Sequence, residues 1–398
     1  MRIAEEGVAR VPRAIRRRLA GVRGQTNVEI FFDLVYAFAI TQISVYLLVH
    51  PTIDGALQAA LLLVMVWLVW FYTAFMTNWL NPNHPSVRLV LMMLMAASLV
   101  MSAGLPDAFG ARGLAVAGAY AFMQVGRSVY AVFALRGDRL QRNFERLLVW
   151  SVLSSALALA GGFAPGHARE LLWLAAVASE LFGGAVGIYV PGLGRSTTRD
   201  WDIEGAHLAQ RTESFVMIAL GESIIVIGAG LAGQASTSMS AVVALAVAFA
   251  GSVAIWWVYF DRSADAAEHV MATSPDPGRL GRSAYAYIHP VMIGGIIAIA
   301  SGDAGVLAQP LATTSLATAS MLVGGAMLFL IGQALFKFSL WHHVSWARVG
   351  GVVVLGLFAV VSTALPALAV GAGAAGIVAL VAVTDFIQYR RRDRPARH

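Results

Sequence analysis

Residues 27–44 read NVEIFFDLVYAFAITQIS. The stretch is apolar enough to enter a bilayer, yet it opens with Glu29 and Asp33 one helical turn apart. At 100° per residue the two carboxylates share a face that Ala37, Ile40, Thr41 and Ser44 continue, while Phe31, Leu34, Val35 and Phe38 lie opposite. Small and polar residues pack well between membrane helices, so the carboxylate face is expected to meet neighbouring helices and the aromatic face to meet lipid. Asp33 lies about one turn into the segment, at a depth where a carboxylate is expected to stay hydrated.

Composition extends that reading to the whole chain. Hydrophobic residues make up 58% of the 398 and charged residues 13%, against about 25% charged in soluble domains. A surface in water could not be covered with that balance, so the chain is an all-α integral membrane protein in contact with a lipid bilayer. Without cysteine, disulfides, thiolate metal sites and cysteine nucleophiles are excluded. The net charge of +6 comes almost entirely from arginine, with Lys337 the one lysine. Nucleic acid is not an expected partner. The basic residues before position 24 lack the apolar stretch of a cleavable signal and read as an arm held against anionic headgroups.

A spanning helix needs about 20 mostly apolar residues. Such runs fall near 28–49, 55–77, 87–105, 112–135, 145–163 and 170–190, then near 212–232, 240–261, 283–302, 313–336, 347–366 and 369–387. The last two are separated only by PALAVGAGAAG, which leaves eleven spans as the alternative count. Twelve spans place the loops RGDRLQRNFER (136–146) and PGLGRSTTRDWDIEGAHLAQR (191–211) and both termini on the cytoplasmic side, where arginine collects. The expected organisation is a basic arm (1–27), a six-helix half (28–190), a connector (191–211), a second half (212–387) and a basic tail (388–398). VEIFF in the first span resembles TESFV in the seventh, and WFY (70–72) resembles WWVYF (256–260). Two six-helix halves would run parallel, related by an axis along the membrane normal.

An ionisable side chain at mid-bilayer costs about 2.5–3.5 kcal/mol on insertion scales and needs a partner or a wet cavity. Arg127, Glu180 and Glu222 lie deep in their spans, Glu29, Asp33 and Asp261 lie nearer the cytoplasmic face, and His289 is intermediate. Asp303 falls at the outer edge, where solvation is expected. Either Arg127 pairs with an acid from another helix and fastens the bundle, or some of the acids line a polar pathway and bind a proton or cation. Gly221 beside Glu222 is read as a point of close backbone approach, and Pro290 as a point of local unwinding beside Gly294 and Gly295. His207 is expected to cap or pair at the membrane surface. His342 and His343 lack a carboxylate at ligand spacing, so no metal site and no cofactor are expected. There is no GxxxxGK(S/T), HExxH or GxSxG pattern, and an enzyme is not expected.

NVEIFFDLVYAFAITQIS, HLAQRTESFVMIALGESIIVIG, WWVYFD and YIHPVMIGG, taken in order, resemble the bacterial low temperature requirement protein A (LtrA) family. The resemblance implies a multi-pass protein of the bacterial inner membrane. On that likeness the motif positions are Glu29, Phe32 and Asp33 in the first span, His207, Arg211, Gly221 and Glu222 around the seventh, and Asp261 and His289 beyond. Gln210 stands where the family has an acid before the arginine, and Glu213 is the candidate substitute. FFDLVYAFAIT is also similar, more faintly, to the first-helix signature of a family of lysosomal and bacterial potassium channels.

These residues lead to a secondary transporter or channel with an acid- and arginine-lined site at Glu29, Asp33, Arg127, Glu180, Glu222 and His289, acting on an ion or small molecule. The alternative is a non-transporting scaffold or sensor of the envelope or of cold adaptation, whose buried charges act as fasteners.

Overall fold

The computed structural model describes residues 24–232, 238–261 and 263–392. Most of the basic arm and the end of the basic tail lie outside the described residues, which are helical and contain no β-strand. The helices are α1 (Asn27–Val49), α2 (Ile53–Met76), α3 (Pro85–Gly104), α4 (Gly113–Ala134), α5 (Gln141–Phe163), α6 (His167–Ala185), α7 (Gly205–Ala232), α8 (Met239–Phe260) and α9 (Ser263–Thr273). They continue as α10 (Pro277–Leu280), α11 (His289–Ala308), α12 (Leu316–Ala319), α13 (Gly325–Trp341), α14 (Trp346–Ser362) and α15 (Ala367–Arg392). Two π-helical segments, Gly281–Ile288 and Ser320–Gly324, lead into α11 and α13.

Helices occupy all twelve expected segments, and among the described residues eight are long and apolar enough to cross a membrane. PALAVGAGAAG does not merge the last two: α14 stops at Ser362 and α15 starts at Ala367. The Thr314 N–H and hydroxyl both bond the Leu365 carbonyl, and the Ala367 N–H bonds the Ala312 carbonyl, tying this turn to the one before α12.

Large apolar side chains point outward, with Ile53 82% and Val360 80% exposed. In water such a surface would be a liability; in hydrocarbon it is the expected boundary. The stripe drawn on α1 is found: Glu29, Asp33, Ile40 and Ser44 are buried, and Phe31, Leu34 and Phe38 are exposed.

Neighbour relations repeat between the two groups of long helices. In the first, α1 packs on α2 and α3, α3 on α4, α4 on α5, α5 on α6, and α6 returns to α2. In the second, α7 packs on α8 and α11, α11 on α13, α13 on α14, α14 on α15, and α15 returns to α8. Contacts of α1 with α7 and α11, and of α2 with α11, join the groups.

Pro290 shapes the junction. It sits in the first turn of α11, and the preceding residues wind as a π-helix, so the chain widens before the proline and α11 runs unbroken past Gly294 and Gly295. The expected unwinding at those glycines is replaced by this change of helix type. The glycines instead permit packing: a Cβ at Gly295 would lie 2.6 Å from the Gly325 carbonyl oxygen. Because Pro290 has no N–H, the Ala286 carbonyl loses its ordinary helical donor. Trp67 Nε1 donates to that oxygen at 2.8 Å from α2, inside the bundle. Substituting Trp67 by Phe removes the donor and leaves a buried carbonyl short of a partner, at about 1–3 kcal/mol. The expected result is a lower melting temperature in detergent for Trp67→Phe, followed by tryptophan-independent light scattering.

Candidate functional site

Thr26 caps α1, and Glu29 closes the capping box. Glu29 Oε2 accepts from the Thr26 N–H and hydroxyl, each at 2.9 Å, while the Glu29 N–H donates to Thr26 Oγ1 at 3.4 Å. The signal T-x-x-E was present in the sequence at 26–29 and explains one of the two carboxylates by local structure.

The other oxygen of Glu29 faces α7. That helix begins at Gly205, well before the expected start of its span, so His207 and Arg211 lie within its first two turns. His207 is 2% exposed and Arg211 1%. Glu29 Oε1 accepts from His207 Nε2 at 2.8 Å and Arg211 Nη1 at 3.1 Å. The Asn78 amide Nδ2 lies 3.4 Å from His207 Nδ1 and can only donate there, which leaves the imidazole proton on Nε2.

Asp33 takes the planar end of Arg211. Arg211 Nε donates to Oδ2 at 3.0 Å and Nη2 to Oδ1 at 2.5 Å, and Trp70 Nε1 donates to Oδ1 at 2.7 Å. Arg211 Nη1 also donates to Thr77 Oγ1 at 3.1 Å, and the guanidinium stands 5.9 Å from the ring centres of Phe32 and Trp70. The expectation that Asp33 stays hydrated is corrected, since it is 1% exposed. Its water is replaced by one guanidinium and one indole. Trp70, Thr77 and Asn78, on α2 and just beyond it, carried no signal that marked them as partners.

A second polar group joins α4 to α6. Arg127, fully buried, donates from Nη2 to Gln124 Oε1 and from Nη1 to the Val69 carbonyl, and stands 5.2 Å over the Tyr72 ring. Gln124 Nε2 donates to Glu180 Oε1 at 3.2 Å and to the Tyr120 hydroxyl at 3.1 Å. Arg127 and Glu180 therefore meet through Gln124 rather than directly. Arg127 Nε and Glu180 Oε2 have no hydrogen-bond partner among the described residues.

Glu222 stands apart from both groups. It is 1% exposed, Thr41 Oγ1 lies 2.5 Å from Oε2, and Oε1 has no partner among the described residues. Gly221 gives no close approach here, because a Cβ built on it meets nothing within 4 Å. Asp33, Arg127, Glu180 and Glu222 thus occupy three places instead of one.

His289 is fully buried and satisfied on both nitrogens. Nδ1 lies 2.9 Å from the Ala284 carbonyl and must donate to it, so Nε2 accepts from the Tyr259 hydroxyl at 3.0 Å. Asp261 ends α8 and lines a cavity of about 550 Å³ with Lys337 and Asp385. Asp385 there accepts from Lys337 Nζ at 3.4 Å and from Arg348, an ion-pair cluster that sequence reading did not mark. Gln210 donates to Glu268 at 3.1 Å, so the residue standing where the family has an acid reaches α9 instead of a cation. Asp303 is not solvated: it is 5% exposed, because Gly251, Gly371 and Ala374 let the helices around it close. Among the described residues no group of three or more acidic or histidine side chains could hold a metal ion. In the connector, the Thr197 N–H, bonded at 2.6 Å, holds the Asp200 carboxyl below its usual range.

Removing one partner of a buried charge pair leaves the other uncompensated, at about 3–5 kcal/mol. Arg211→Gln is therefore expected to lower the melting temperature in detergent strongly. Arg211→Lys is expected to recover only part of the loss, because an ammonium cannot span both Asp33 oxygens and Glu29.

The family described as bacterial low temperature requirement A protein (LtrA) matches residues 25–383. An uncharacterized protein of Rhizobium meliloti (strain 1021) is 35% identical over 376 residues, covering 92% of this chain and 90% of that protein. No solved structure matches. The matched range runs from the residue before the α1 cap to the last turns of α15 and includes Glu29, Asp33, His207, Arg211 and Glu222: the chain belongs to the bacterial LtrA family of multi-pass membrane proteins.

Proposed function

We propose that this LtrA protein is a transporter or channel of the bacterial inner membrane that binds a proton or cation at Glu222. The carrying observation is the hydrogen inventory at Thr41. Its hydroxyl lies 3.0 Å from the Ala37 carbonyl and 2.5 Å from Glu222 Oε2, yet it has one proton to donate. When Thr41 donates to Ala37, the short contact requires a proton on Glu222. When Thr41 donates to Glu222, the carboxylate can be ionised. Rotation of one hydroxyl accommodates both protonation states of an acid that has no cation partner among the described residues.

The surroundings support this reading. Along α1, Glu29, Asp33, Tyr36, Thr41 and Ser44 form a seam toward α7 and α11, rising about 22 Å at 1.5 Å per residue. Tyr36, whose hydroxyl has no partner among the described residues, stands within electrostatic reach of Asp33, Arg211 and Arg127. The matching neighbour relations of the two helix groups favour a parallel repeat, 28–190 and 212–387, with α1 and α7 as equivalent helices at its centre. Binding sites at repeat interfaces are common in transporters.

Glu29, Asp33, His207 and Arg211 favour a second role for the remaining charges. Their polar atoms are extensively paired and buried, which suits a fastener at one end of the seam rather than an ion entrance. The scaffold reading of the whole protein extends that role to Glu222.

Purified protein in liposomes with an internal pH dye separates the two readings. The native chain is expected to pass protons or a monovalent cation, with Glu222→Gln slower by tenfold or more and Thr41→Val intermediate. Absence of flux in native liposomes, or an unchanged rate in Glu222→Gln, would leave the scaffold reading standing.

A further inference from the structure

Two cavities lie along one face of α2, between the helix groups. The outer one, about 410 Å³, is lined by Ala56, Ala60, Leu63 and Trp67 of α2 and by Gly294 and Ala298 of α11. The inner one, about 90 Å³, is lined by Phe71, Tyr72 and Phe75 of α2, by Ser196 to Thr198 of the connector, and by Arg282. Residues 56, 60, 63, 67, 71 and 75 fall on one helical stripe, so a single face walls both chambers. The chambers share Ala286 and Tyr287 on the π-helical segment. The Tyr287 hydroxyl donates to the Leu181 carbonyl at 2.9 Å, and Gly184 makes room for it, since a Cβ there would lie 2.9 Å from that oxygen.

The walls differ in chemistry. The outer chamber is apolar and reaches the surface at Ala56, Ala60 and Leu328, which are exposed on the outside of the helix bundle. The inner chamber ends at hydroxyl groups and at Arg282, the one charged residue of its lining among the described residues. Arg282 is partly exposed and donates from Nη1 to the Gly184 carbonyl at 2.8 Å, which leaves further N–H groups of its five. Of the acids beside these residues in the chain, Asp200 accepts from the Thr197 N–H, and Asp276 from the Thr198 hydroxyl and the Arg279 N–H. From Phe75 to Trp67 the stripe covers about 12 Å at 1.5 Å per residue, close to the roughly 15 Å half-thickness of the hydrocarbon core.

From this arrangement we infer a phospholipid site. An anionic phospholipid from the leaflet on the connector side places its phosphate against Arg282 and its acyl chain past Tyr287 into the outer chamber. Tyr287, bonded to the Leu181 carbonyl, lines both chambers where the chain would pass. The site involves none of the seam residues, so it stands or falls independently of the Glu222 reading.

Native mass spectrometry of the full chain in detergent, mixed with phosphatidylglycerol or phosphatidylcholine of matched chains, tests the assignment. A charge-assisted pairing should favour the phosphatidylglycerol adduct by about tenfold. Arg282→Gln is expected to erase that preference while both lipids still bind. Ala60→Trp and Ala298→Trp fill the outer chamber by different walls, and each is expected to reduce both adducts at least fivefold while eluting as folded protein. Glycerol phosphate in excess should not displace the lipid. Equal retention of the two lipids by the native chain, a preference that survives Arg282→Gln, undiminished adducts in both filled variants, or displacement by glycerol phosphate would each overturn the site.

Discussion

The Arg211 guanidinium joins the two helix groups. It lies on α7, and both carboxylates that it binds lie on α1, so one side chain links the first helix of one group to the first helix of the other. Three charges without solvent would be costly, and the arrangement is stable because nearly every acceptor and donor is used. Glu29 receives a histidine, the Nη1 arm of the arginine and its own cap; Asp33 receives Nε and Nη2 of the guanidinium and an indole. The fork geometry of arginine is what allows one cation to serve two acids. With α1 and α7 registered at that end, Thr41 and Glu222 meet further along the same pair of helices.

Packing elsewhere follows from a missing hydrogen. Pro290 cannot donate, so the turn before it widens into a π-helix and the Ala286 carbonyl is satisfied from α2 by Trp67. Such widened turns frequently mark functional sites. Here the same turn carries Tyr287 into the partition between two cavities and places the His289 ring between Ala284 and Tyr259. His289 has both ring nitrogens bonded, in contrast with Glu222, whose Oε1 has no partner among the described residues.

Much of the membrane architecture was legible in one dimension because hydrocarbon imposes length and apolarity on every helix that crosses it. The polar stripe of α1 was legible for the same reason: with lipid on one side, the carboxylates had one direction in which to point. The partners were not legible. Nothing local distinguishes Trp70, Thr77 or Asn78 from other residues near the end of an apolar helix, and their roles arise from where α2 passes α1 and α7. Gln124 was missed in the same way, as the amide that separates Arg127 from Glu180. Depth along a helix also proved a poor guide to hydration. Asp33 and Asp303 sit near helix ends, yet neighbouring helices close over both.

By itself the sequence determined the class of protein, the approximate helical segments and the face of α1 that turns inward, since each depends on composition and on the 100° step of a helix. Tertiary structure decided which charges are neutralised. Arg211 rather than Arg127 binds the two carboxylates of the opening stretch, and among the described residues Glu222 meets a single hydroxyl. The physical reason is that an ion pair needs atoms within about 3 Å, and that distance is set by the rotation and offset of packed helices, which no single helix encodes.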